Sequence, residues 1–272
     1  MVSMRRSRGA VRSPPPATAS SRRGRALITS CIVLIAALAW VYLLRLNHHT
    51  SLSGEADTVM ARMGMVTNRP WGARDLFFTF VMWSVMMVGM MAAAALPVLL
   101  LFAGARVHRA ERGTAPAVLL FGLGYVAVWL GFSACATGAQ WALHQGALLS
   151  STLAASSSHA AGAILIVAGT YQLTPLKGAC LAHCRSPLGF LMSNWRDGSG
   201  GAFLMGWRHG AFCLGCCWAL MGVLFVVGVM NLVWVAALAV FIFLEKVGPG
   251  GLRVARAAGA ALIATGMVLL WR

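Results

Sequence analysis

Seven stretches of this 272-residue chain run almost without charge, at roughly 26–46, 76–103, 117–138, 160–176, 203–229, 231–246 and 254–271. Most approach or exceed the roughly 20 residues that carry an α-helix across a hydrocarbon core. In lipid every backbone N–H and C=O must bond within the protein, so only helices and closed barrels cross a bilayer. Barrel strands alternate apolar and polar residues, and these runs are continuously apolar. The composition agrees: 59% of the residues are hydrophobic and 10% charged, against roughly 25% charged in a soluble domain. The expected fold is all-α, a polytopic helical membrane bundle of about seven transmembrane helices, six at the fewest.

Charge orients the bundle. The net charge is +16, with only six acidic residues. Residues 1–25 are basic and rich in Ser and Pro, a composition that cannot bury a core. They are expected as a disordered cytoplasmic tail ahead of a multi-span membrane domain at 26–272. The run at 26–46 is long for a signal-peptide core and no small-residue cleavage site follows it, so a retained anchor is expected. With the N-terminus inside and seven spans, the cytoplasmic side holds seventeen of the 22 basic residues. These are the seven arginines before residue 26, then Arg106, Arg109, Arg112, Lys177, Arg185, Arg196, Arg208, Lys246, Arg253 and Arg256. The other side holds Arg45, Arg62, Arg69, Arg74 and Arg272. That asymmetry is what cytoplasmic loops carry. The basic residues flank apolar runs, where they meet anionic headgroups. The expected partner is therefore the lipid bilayer, and no nucleic acid. The expected location is a bacterial cytoplasmic membrane. A tight turn is expected near Met230–Asn231. No internal repeat, nucleotide fingerprint or GxSxG motif is present.

Six of the seven cysteines lie beyond residue 130. Cys180, His183 and Cys184 follow the fourth run. His209, Cys213, Cys216 and Cys217 lie in the fifth, at i, i+4, i+7 and i+8. At 100° per residue they share one helical face about 100° wide, spread over roughly 12 Å of axis. One ion cannot touch all four from a single helix, so a two-helix site or two adjacent sites is required. The expected topology brings both groups to one membrane surface, the cytoplasmic one. Thiolate with imidazole suits Cu(I) or Zn(II). Single buried cysteines are ordinary packing residues, and Cys31 and Cys135 are read that way. His48, His49, His108, His144 and His159 are expected in loops or at the interface. Glu245 and Lys246, adjacent at the end of the sixth run, are expected to form a structural contact rather than a site.

The second run is rich in methionine. Met82, Met86 and Met90 repeat every fourth residue, with Met87 and Met91 beside them. Such a stripe packs a core as readily as it holds a metal. Thioether, however, favours Cu(I) over Zn(II), so the stripe and the cysteines together put copper ahead of zinc. The small residues Ala92 to Ala95 permit close helix approach.

Four stretches, "MWSVMMVGMMAAAALP", "YQLTPLKGACLAHCRSP", "WRDGSGGAFLMGWRHGAFCLGCCWALM" and "GVMNLVWVAALAVFIFLEK", resemble the DUF2182 family of metal-binding integral membrane proteins. The resemblance covers about residues 75–250. It implies a link to copper delivery, with Cys180, Cys184, His209, Cys213, Cys216 and Cys217 at motif positions. His183 is added on chemistry alone. The expectation is a non-enzymatic protein that holds Cu(I) for a copper-dependent client enzyme. Two other functions fit the residues: a membrane thiol–disulfide oxidoreductase, with Cys213, Cys216 and Cys217 as exchanging thiols and Cys216–Cys217 as a strained vicinal pair, or a structural subunit of a larger complex.

Overall fold

The computed structural model describes residues 17–62, 71–109, 111, 113–145, 157–229 and 231–271. Residues 1–16 of the expected tail lie outside these. The first helix, α1 (Ala17–Arg62), starts ahead of the expected boundary near residue 26. It is followed by α2 (Ala73–His108), α3 (Thr114–Gln145), α4 (Ser158–Leu173), α5 (Pro175–Arg185), α6 (Pro187–Asn194), α7 (Gly198–Gly222), α8 (Leu224–Val227), α9 (Leu232–Val247) and α10 (Gly251–Trp271). Among the described residues there is no strand. The all-α helical bundle expected from the apolar runs is the fold.

Among the described residues, five helices are long and apolar enough to cross a membrane, and six, the lower bound expected, if the bent pair α4 and α5 counts as one. The bend of 64° falls at Thr174–Pro175. Proline lacks the N–H that would continue α4, and it drives the residue before it out of the helical region. Thr174 is accordingly extended, at ψ 148°, and its hydroxyl accepts from Lys177 N to cap α5. The stretch expected as the sixth span became α9. Its 16 residues reach about 24 Å, short of the roughly 30 Å of hydrocarbon. Met230 lies outside the described residues. Beside it, Gly228 takes φ 92° and accepts from Asn231 N, a reversal only glycine adopts easily.

Two closely packed helix pairs organise the bundle, α3 with α7 and α4 with α10. Membrane helices gain little by hiding apolar surface from one another, so small residues that let backbones touch decide where they pack. Gly206 on α7 lies against the Phe121 carbonyl on α3, where a β-carbon would have no room. The same tight approach joins Gly169 to Gly259 between α4 and α10. Beside the α3–α7 pair, α2 and α3 contribute a core of Trp83, Phe102, Phe121 and Trp129, all but fully buried. Trp83 Nε1 donates to Gln140 Oε1 at 2.7 Å, so its polar edge is satisfied inside the protein.

Candidate metal-handling site

The α3–α7 crossing and the α4–α5 bend determine what meets in the middle. The bend turns α5 along α7, and the two pack together. Gly215 leaves room for Cys180, whose sulfur would lie 2.8 Å from a β-carbon there. One turn further, Cys184 Sγ stands 3.9 Å from Cys216 Sγ, and Cys184 also neighbours Cys213. Cys216 and Cys217 each donate to the Cys213 carbonyl, at 3.1 and 3.0 Å. All seven cysteines are free.

The shared face of α7 is real. His209, Cys213, Cys216 and Cys217 are all buried. His209 stands about 16 Å along α7 from Gly198, so the group lies deep in the helix rather than at its end. Cys180 and Cys184 are only partly buried, so α5 carries the less buried thiols of the group. His183 does not join them. Its ring stacks on Phe212, with centroids 4.2 Å apart, and its Nδ1 lies 2.9 Å from the Ala179 carbonyl on the exposed side of α5. His209 is enclosed by Tyr125, Phe121 and Phe190. Its Nδ1 is buried and has no hydrogen-bond partner among the described residues. Buried polar atoms are nearly always paired, so this unpartnered nitrogen stands out in the core.

Met82, Met86 and Met90 are buried in the same core as the cysteines. Helix α2 packs mainly on α1 and α3, with lighter contact to α6 and α9. Met91 Sδ lies 3.7 Å from Lys246 Nζ. Cys31 and Cys135, expected as packing residues, are exposed on α1 and α3, on surfaces rich in exposed leucine and valine that a bilayer would cover.

The contact expected between Glu245 and Lys246 does not form. They are consecutive on α9 and point into different networks. Glu245 pairs with Lys177 at 2.8 Å, both side chains almost fully buried, and Gln172 bonds to both. Lys246 reaches the opposite way and donates to Cys213 Sγ at 2.9 Å. The Tyr125 hydroxyl lies 3.0 Å from the same sulfur and also bonds the Met91 carbonyl. Sequence reasoning missed Lys246, Tyr125 and Lys177 as neighbours of the site. One signal pointed to them: Lys177 and Lys246 are the only lysines in the chain, and both lie in or beside apolar runs, where an ionisable residue marks function by default.

Among the described residues, no three His, Cys, Asp or Glu side chains are grouped so as to hold one metal ion together. The arrangement offers thiols in close pairs, with an ammonium, a phenol and a thioether around them. Soft sulfur pairs bind soft d10 cations.

Neither the curated proteins nor the solved structures contain a match to this chain. A family model does match, over residues 80–269, and it describes a copper chaperone. That range takes in the methionine-rich helix, the α4–α5 bend, the thiols and α9, and it favours a carrying role over a catalytic one. The chain belongs to the PpoB2 copper-chaperone family.

Proposed function

We propose that this protein takes up Cu(I) as cargo in the bacterial cytoplasmic membrane and passes it to a copper-dependent client enzyme. The observation that carries the reading is the 3.9 Å approach of Cys184 and Cys216 from two helices, beside the buried thiols of Cys213 and Cys217. Cu(I) is satisfied by two sulfur ligands, whereas a structural Zn(II) site closes with four. Among the described residues the close thiol pairs have no third converging ligand, which favours the former. The unpaired Nδ1 of buried His209, one turn from Cys213, serves as a separate contact for the ion on its way to or from the thiol pair. Cys180, partly exposed, is the first sulfur the ion meets, with His183 beside it at the surface. Met82, Met86 and Met90 hold the ion transiently, since a neutral thioether binds it without a deep well.

The orientation puts the N-terminus in the cytoplasm. Helix α9 carries the chain back along α7 from the Gly228 turn to Lys246 beside Cys213. The cluster then lies level with the end of α9, where Lys177, Arg185, Lys246 and Arg253 gather. Such basic residues mark the cytoplasmic side. On this reading α9 is a short seventh crossing.

The test is metal content. Protein purified anaerobically from copper-supplied cells should carry copper, and the Cys184→Ser and Cys216→Ser proteins should lose it. A second reading has one observation in its favour: the Cys184–Cys216 pair needs little movement to become a disulfide. A thiol oxidoreductase would show that pair partly oxidised in membranes and would retain no metal.

A further inference from the structure

Lys246 is buried beside a sulfur cluster, and among the described residues no carboxylate pairs with it. Its amine lies 2.9 Å from Cys213 Sγ and 3.7 Å from Met91 Sδ, and the side chain is 7% exposed. The neighbouring carboxylate, Glu245, is engaged on its other side by Lys177. Among the described residues no salt bridge involves Lys246. A buried charge is costly unless paired, and the ionisable group this ammonium contacts is the Cys213 sulfur.

We propose that Lys246 sets the charge that the sulfur cluster accepts, making it a site for a monovalent soft cation and closing it to a divalent one. The proposal rests on the copper reading above and adds what excludes zinc. Cys184, Cys213 and Cys216 meet in pairs, and among the described residues no three ligands converge, so a bound ion takes two thiolates. Each thiol that binds gives up its proton to solvent. Two thiolates and one ammonium sum to a single negative charge. One Cu(I) makes the group neutral. One Zn(II) would leave a net positive charge among buried side chains, a penalty that grows as the local dielectric falls. Met91 and Tyr125 bring polarisable or hydrogen-bonding atoms without adding charge. The ammonium thus does electrostatically what ligand softness alone does not, since thiolates accept both metals.

The experiment uses the full chain in detergent micelles, with thiols reduced, offered Cu(I) and Zn(II) together, and reads the bound Cu:Zn ratio by elemental analysis. Wild type should hold copper in large excess. Lys246→Met, close in length and neutral, should lower the ratio on the order of tenfold or more. Lys246→Arg, which restores the charge, should hold the wild-type preference. Where Lys246→Met fails to insert, Lys246→Gln is read in its place with the same expected fall. An unchanged ratio in the neutral variant overturns the proposal while leaving copper carriage intact. So does an equal fall in Lys246→Arg, because side-chain shape and not charge would then be responsible. Wild-type protein that binds no Cu(I) overturns both the carriage reading and this one.

Discussion

Cys184 on α5 and Cys216 on α7 bring their sulfur atoms to 3.9 Å across a helix interface created by a proline bend. They are 32 residues apart in sequence, and neither helix alone presents the pair. Cys184→Ser or Cys216→Ser should therefore weaken Cu(I) retention by about tenfold or more, since a hydroxyl is a poor soft-metal ligand. Cys135→Ser, on the outer surface of α3, should retain the wild-type amount. Equal retention in all three proteins, measured by copper content after dialysis against a chelator, would contradict the site.

The α3–α7 crossing holds Tyr125 against Cys213, and it depends on Gly206. Gly206→Ala inserts a methyl group into the Phe121 backbone. The expected cost is about 1–3 kcal/mol of overpacking, read as a lower unfolding temperature in detergent. Copper retention should fall with it, because the two helices must separate. A Gly104→Ala control, where a β-carbon meets nothing within 4 Å, should leave both unchanged.

Lys177 and Glu245 form a buried ion pair that ties α5 to α9. Removing one partner leaves the other charged and unpaired, at a cost of about 3–5 kcal/mol. Lys177→Met and Glu245→Gln should each destabilise strongly. The double variant should recover much of the loss, because no buried charge remains. A double-variant cycle showing simple additivity would mean that the pair is not coupled.

Replacing Met82, Met86 and Met90 together with Leu conserves volume closely enough for folding to survive. Copper held by the cysteines should persist while transfer to a client enzyme slows. Client activity at wild-type level in the triple variant would assign the stripe to packing alone.

Topology is checked at the C-terminus. A reporter fused after Arg272 should give an extracytoplasmic signal, as an odd number of crossings from a cytoplasmic N-terminus requires. A cytoplasmic signal would remove one crossing, and the short α9 is the one to remove.

The sequence alone determined the class of fold, the helical face of α7 and the soft chemistry of the site. Continuous apolar runs permit only helices in lipid, and a spacing of i, i+4, i+7, i+8 puts side chains on one face whatever the helix packs against. Pro175 was legible as a break, but the direction of the 64° bend was not, and that bend is what lays Cys180 and Cys184 along α7. The methionine stripe was legible as well, but the contact of Met91 Sδ with Lys246 Nζ beside Cys213 was not, because it needs α9 in place. Glu245 and Lys246 show the limit most clearly. Consecutive residues on a helix point about 100° apart, so each answers to a different neighbouring helix: Glu245 to Lys177 on α5, Lys246 to Cys213 on α7. Which helix stands on which side depends on glycine contacts between segments far apart in sequence, and only the assembled bundle settles that.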